Sequence, residues 1–216
     1  MTISIELLQG KVDELQSRQE IHDCVLRYCR GGDRLDYDMM VSAYHHDGIE
    51  EHGKFVGSAA QFVAFAVKQH ADAHLTTQHY VMNHRCDLDG DTAHAETYFM
   101  FVAMNKHGEK VLQMGGGRYV DRFERRTGKW AIAYRVALRD WSAMDERPDM
   151  NDLSSFTSTR ALLPPEVRAF MNCGPGPKRD RTDPSYDRPL CVDPERLKAY
   201  EGLRANELMR FKVNAQ

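Results

Sequence analysis

The chain predicts an α+β fold: helices come first, and a single antiparallel β-sheet wraps around them. Three observations lead there. Apolar residues recur at helical spacing early in the chain, the period changes to two after residue 77, and short turn-like sequences join the period-two segments. There is no internal repeat, and 216 residues with 42% hydrophobic and 28% charged side chains suit one globular domain with an appendage.

Ile5, Leu8, Val12, Leu15, Ile21, Val25, Leu26 and Tyr28 set out a first helix, and the pair Gly31-Gly32 is expected to end it. Asp36 suits the cap of a short helix carrying Met39, Met40 and Tyr44. The stretch 48–57 (GIEEHGKFVG) reads as a short strand or hairpin. Ser58 suits the cap of a third helix with Phe62, Phe65, Ala66 and Gln69 along it. Strands are expected at 77–87, 92–106, 109–124 and 129–142, joined at Asp89–Asp91, NKHGEK and RRTGKW. Beyond about residue 145, proline-rich runs such as LLPPEV and CGPGPKRDRTDPSYDRPL do not belong inside a sheet. A last helix from about Pro194 to Phe211 offers Leu197, Tyr200, Leu203, Leu208 and Phe211 for packing. The expected division is therefore a domain over 1–145 and an extension over 146–216, lying over the body or a neighbouring subunit.

Composition excludes several classes of partner. Net charge is −3 with both signs interspersed, and the densest basic cluster, PKRDR at 177–181, contains an acid, so nucleic acid is not expected. No apolar run approaches a membrane span or a signal peptide. Five cysteines, at 24, 29, 86, 173 and 191, form no CxxC pair and suit reduced thiols in a cytoplasmic protein.

In the strand 92–106, one row is Ala93, Ala95, Thr97, Phe99, Phe101 and Ala103, small at one end and aromatic at the other. Such a row suits a tapering apolar cavity or a plain core. Three glycines at 115–117 mark a bend or a close approach in the next strand. His79 carries the side chain best matched to proton transfer near neutrality, and a carboxylate on its other ring nitrogen would fix its tautomer. Asp33, after Gly31-Gly32, is the candidate carboxylate. On periodicity alone, the plainer roles are favoured: a helix-end acid and a satisfied core histidine.

A metal site is not expected. His70 and His74 have chelating i, i+4 spacing, but no HExxH is present, and a regular strand would put His79 and His84 on opposite faces. DLDGDTAHAE departs from the calcium-loop spacing, and GGG lacks the Lys-Ser/Thr of a phosphate loop. Cys24 and Cys29 suit core packing.

Residues 5–145 resemble the SnoaL-like branch of the nuclear transport factor 2-like superfamily, through LLQGKVDELQSRQEIHDCVLRYCRGGDRLDYD, TTQHYVMN, DGDTAHAETYF and GGRYVDRFERRTGKWAIAYRVALRDW in that order. The resemblance implies a cone of curved antiparallel sheet, an α+β barrel closed by helices around a deep apolar pocket. Members such as scytalone dehydratase, hexachlorocyclohexane dehydrochlorinase and bile-acid dehydratase perform eliminations with an Asp–His pair and no cofactor. Their histidine falls on His79, their aspartate on Asp33, and a tyrosine that donates to substrate oxygen falls on Tyr28. A functional arginine falls on Arg139, with Arg135 as rival if the strand is offset. A second histidine and a second aspartate of other members fall near Ala103 and Phe101, which implies a greasier floor. The long tail is similar to that of lignin-derived diarylpropane γ-formaldehyde lyases of the same superfamily.

The resulting expectation is a cofactor-free homo-oligomeric lyase, dimer or trimer, acting on an aromatic small molecule. His79, Asp33 and Tyr28 would be catalytic, and Arg139, Tyr119, Phe99, Phe101 and Thr97 would contact substrate. An isomerase or hydrolase using the same pair, or a non-catalytic binding module, is the alternative.

Overall fold

A computed structural model describes residues 4–106, 112–145, 164–172, 184 and 187–206. Helices α1 (Ile5–Arg34) and α2 (Tyr37–Val41) come first, then strands β1 (Tyr44–His52) and β2 (Phe55–Ser58), then helix α3 (Ala59–Ala73). Strands β3 (His74–Asp89), β4 (Thr92–Asn105), β5 (Leu112–Arg126) and β6 (Lys129–Asp145) follow. Helices α4 (Pro165–Asn172) and α5 (Pro194–Ala205) come last. The strands form one curved, open sheet in the order β2-β1-β6-β5-β4-β3, the cone fold expected for this α+β chain.

Not every pair is antiparallel. β1 runs parallel to β6, with Glu50 opposite Arg135 and His52 opposite Ala137. A period-two pattern encodes which face a residue takes and is silent on strand direction, so the sequence could not show this pair.

The start of α1 is held by Ser4, whose hydroxyl accepts the Leu7 N–H at 3.2 Å. Ile5, Leu8, Val12 and Leu15 are exposed, whereas Ile21, Cys24, Val25, Tyr28 and Cys29 are buried against the sheet. The helix does not end at the glycines: it continues to Arg34, and Leu35 closes it in the left-handed region at φ 56°. Gly31 serves packing instead. A Cβ there would lie 2.5 Å from the Met40 backbone nitrogen, so only glycine lets α2 cross the end of α1. Asp36 caps α2 by accepting the Met39 N–H at 2.9 Å, but α2 stops at Val41, and Tyr44 opens β1 rather than riding on the helix.

The β4 rows sort as their alternation predicts. Ala93, Ala95, Thr97, Phe99 and Ala103 are buried on the inner face, and Tyr98 and Met104 are exposed on the other. The glycines of β5 answer two contacts: a Cβ on Gly116 would strike the Trp141 indole at 2.4 Å, and one on Gly117 would meet the Leu138 carbonyl oxygen. At that point β6 carries an extra residue between Arg139 and Trp141.

The outer face is also used. Leu190 and Val192 pack on Val120, Tyr134, Val136 and Leu138. The buried Arg196 of α5 pairs with Glu51, donates to the Phe170 carbonyl of α4 at 2.9 Å and lies 4.2 Å from the Phe170 ring. Helix α4 falls within a stretch that proline content had marked only as non-sheet, yet Pro165 suits a first helical turn and Val167 and Phe170 bury. Leu208 and Phe211, expected on the last helix, lie outside the described residues, as does Cys173.

Candidate active site

The last turn of α1 carries Asp33 to β3, the outermost strand on its side of the sheet. His79 of β3 stands opposite Phe101 of β4. The Asp33 Oδ1 lies 2.7 Å from His79 Nδ1, and Asp33 Oδ2 accepts the His79 backbone N–H at 2.9 Å. One carboxylate therefore holds both the ring and the strand that bears it. With Nδ1–H donated to Asp33, the tautomer assigned from this network leaves Nε2 as the bare, basic nitrogen. Among the described residues Nε2 makes no hydrogen bond. The two side chains are 10% and 15% exposed, so the pair is largely withdrawn from water but not sealed.

The ring is closely walled. Phe101 lies 4.9 Å away centroid to centroid, His70 of α3 stands edge-on at 6.3 Å, and a Cβ on Gly32 would touch Cε1 at 3.7 Å. Gly32 thus belongs to the site by having no side chain. His70 Nδ1 lies 3.1 Å from His74 Nδ1, so one ring donates and the other accepts. Burial pushes the His70 pKa down to about 3, with the nearby His79 and His74 adding to it. His70 is therefore a neutral wall at neutral pH.

Farther along the inner face of the sheet lies a buried charged cluster. Arg135 is fully buried and grips Asp121 with two bonds of 2.7 and 2.8 Å. Its guanidinium lies 4.3 Å from the Tyr28 ring, 4.1 Å from Tyr119 and 5.9 Å from Tyr44. Phe99 stacks on Tyr119 at 4.3 Å and 13°. Burial raises the pKa of all three tyrosines well above the ordinary range, so each keeps its proton. The family resemblance implies an apolar floor near Ala103 and Phe101, and both are apolar here. The charges instead enter from β5 and β6, at positions no alternation pattern distinguishes from surface.

The expected residues separate into groups. His79, Asp33 and Phe101 come together. Tyr28, Tyr119 and Phe99 form one aromatic stack around Arg135. Thr97 is committed elsewhere, its Oγ1 lying 2.8 Å from His84 Nδ1. Between the two arginines, Arg135 is the buried, paired one. Arg139 stands on the same inward row as Phe99 and Gly117 and is exposed. Protein nevertheless surrounds it closely enough for desolvation to lower its pKa.

His84 corrects another expectation. β3 carries an extra residue between Val81 and His84, so His84 pairs with Thr97 and points inward like His79, not to the opposite face. Its ring lies 5.1 Å from His22 of α1. Among the described residues no cluster of three or more His, Cys, Asp or Glu is arranged to hold a metal. Nor, among them, is any helix long and apolar enough to cross a membrane. Two surface hollows, of about 320 Å³ beside Asp13, Arg18 and Arg125 and about 170 Å³ beside Arg85, His94 and Arg188, lie away from the dyad.

The buried histidines set an acid limit on stability. Burial lowers His70 to about 3 and His84 to about 4, whereas an unfolded histidine titrates near 6.5. Between about pH 6.5 and pH 3 the unfolded chain thus binds more protons than the folded one, and stability falls as pH falls. For His70 the expected loss approaches about 1.4 kcal/mol per pH unit below 6.5. Urea denaturation midpoints should drop between about pH 7.5 and 5.5, and less so in His70→Phe; equal drops in the two proteins would refute the assignment.

The family described as SnoaL-like domain matches residues 13–136. No curated protein matches the chain. Among solved structures, a function-unknown protein from Mycobacterium tuberculosis is similar at 23% identity and TM-score 0.52, over 60% of this chain and 75% of that one. A putative scytalone dehydratase from Novosphingobium aromaticivorans is similar at 13% identity and TM-score 0.56, over 60% and 88%. The hexachlorocyclohexane dehydrochlorinase LinA-type3 from Novosphingobium barchaimii is similar at 16% and TM-score 0.59, over 66% and 99%. At these identities the likeness establishes the fold.

Proposed function

We propose, for a chain that belongs to the SnoaL-like domain family of the nuclear transport factor 2-like superfamily, a cofactor-independent lyase acting on a hydroxylated aromatic small molecule. A dehydratase-named and a dehydrochlorinase neighbour support lyase-type chemistry in the broad sense. The observation that carries the finer reading is the 2.7 Å contact between Asp33 and His79 Nδ1, which leaves a bare Nε2 in a half-closed aromatic surround.

On this reading His79 Nε2 takes the proton of a para-hydroxyphenyl group, and Asp33 stabilises the imidazolium that forms. The phenolate electrons expel the benzylic hydroxyl, which leaves as water after gaining a proton, and a quinone methide results. In a diarylpropane substrate, the γ-hydroxyl then gives its proton to the regenerated base. The carbon–carbon bond breaks, formaldehyde departs, and the bond's electrons restore the aromatic phenolate. The sum is substrate to stilbene, water and formaldehyde. Phe99 and Phe101 supply apolar surface for a ring, and Arg139 at the rim suits a polar substituent or phenolic oxygen. Tyr28, whose raised pKa keeps it protonated, is suited to donate a hydrogen bond rather than to act as a base.

The test is incubation of the purified protein with lignin-derived diarylpropanes and other hydroxylated polycyclic aromatics, followed by mass spectrometry and a formaldehyde assay. Loss of water, with or without formaldehyde, is expected. A product of unchanged mass would identify an isomerase, and tight ligand binding without turnover would identify a binding module.

A further inference from the structure

The β1 segment GIEEHG, expected as a short strand or hairpin, builds a second carboxylate–imidazole pair. Alternation along β1 puts Glu50 and His52 on one face and Glu51 on the other. Glu50 is fully buried. Its Oε1 lies 3.1 Å from His52 Nδ1, and its Oε2 accepts the Tyr44 hydroxyl at 2.5 Å. The His52 ring stacks on Phe62 of α3 at 4.8 Å and 18°, and its side chain is 28% exposed. As with His79, Nδ1 faces the carboxylate, and Nε2 makes no hydrogen bond among the described residues.

Charge compensation gives this pair a different character. Glu50 stands opposite Arg135, which is opposite Asp121, and all three are fully buried. Arg135 gives its Nε and Nη2 to Asp121, and its buried Nη1 has no hydrogen-bond partner among the described residues. One arginine therefore stands beside two carboxyl groups, and the second of them, Glu50, is met by the Tyr44 hydroxyl and by His52. Asp33, in contrast, has His79 as its partner at the end of α1, outside this buried cluster.

Both imidazoles face the same interior. Helix α3 touches both: Phe62 lies on His52, and His70 lies beside His79 and feels the charge of both. Eight residues of helix separate Phe62 from His70, about 12 Å. A para-hydroxybenzylic alcohol has its two oxygens at opposite ends of one ring. Two separated groups are needed to reach both, and His52 and His79 pack against different turns of α3.

We propose that Glu50–His52 is the general acid of the reaction, delivering a proton to the departing benzylic hydroxyl while Asp33–His79 removes the phenolic proton at the other end of the ring. This rests on the lyase reading above and names its substrate class as para-hydroxybenzylic alcohols. The proton given by His52 leaves in water, the one taken by His79 passes to solvent and so regenerates that base, and His52 regains its own from solvent.

The experiment compares wild type, His52→Phe and His79→Phe on two substrates: the alcohol, and the same molecule with 4-nitrophenoxide as leaving group, which departs without a proton. His52→Phe keeps a ring to stack on Phe62. It is expected to lose about 10²–10⁴-fold in kcat on the alcohol and to approach wild type on the nitrophenyl ether. His79→Phe should be slow on both. If His52→Phe is as fast as wild type on the alcohol, or equally slow on both substrates, the acid role is wrong while the His79 reading stands. If His79→Phe also keeps full rate, the lyase reading falls as well. Thermal melting of each variant separates loss of fold from loss of chemistry, and Glu50→Gln, which keeps the shape of the Tyr44 contact, should reproduce the selective deficit.

Discussion

His79→Ala is expected to reduce turnover by about 10²–10⁴-fold while the protein remains folded. The ring meets Phe101, His70 and the Gly32 backbone, so its loss opens a small hollow without leaving a buried charge unpaired in the deep core. Asp33, 15% exposed, keeps its bond to the residue-79 backbone N–H in the alanine variant, and β3 stays fastened. Asp33→Asn tests the other half. An amide still accepts from the backbone N–H through its oxygen, but it cannot stabilise an imidazolium, and its NH₂ would turn the ring to the tautomer with a bare Nδ1. Turnover should drop over a similar range with little change in melting temperature. Near-wild-type rates on a true substrate in both variants would remove these residues from the chemistry.

Arg135→Ala is expected to cost about 3–5 kcal/mol of stability. The substitution leaves Asp121 buried without its ion-pair partner, and it removes the group around which Tyr28, Tyr44 and Tyr119 are arranged. Burial already raises the Asp121 pKa against the pull of Arg135, so in the variant it would protonate to limit the damage. A double change, Arg135→Met with Asp121→Leu, deletes both charges and should recover much of the loss, because a buried pair gains little over well-packed apolar groups. Denaturant titration of the single and double variants measures this. A loss below about 1 kcal/mol for Arg135→Ala would mean that water reaches the buried cluster.

Much of the site was legible in the residues because the relevant signals are local or periodic. Thr97, Phe99 and Ala103 fell on the inner row because alternation survives intact along β4. The same rule failed for His84, where one extra residue in β3 reverses the face of everything beyond it, and a single sequence carries no mark of that insertion. Gly31-Gly32 was read as a helix stop from conformational preference, whereas a close crossing by α2 is what demands glycine at the first of them. Nothing local singles out Glu50 and His52, because their importance depends on β1 lying beside β6, a parallel pairing that brings them to Arg135 across more than eighty residues of chain. Contacts of that range are set by how the whole sheet curls, not by any window of sequence.

The double grip of Asp33 on His79 has a consequence for divergence. Because one carboxylate fixes the imidazole and the backbone beneath it, the base cannot be re-aimed by a change of rotamer, and any shift of the strand would take the end of α1 with it. Paralogues that adopt new substrates from this ancestor would therefore hold that corner constant and vary the facing wall, where Phe99, Phe101 and Arg139 differ in size and charge and none anchors the chain.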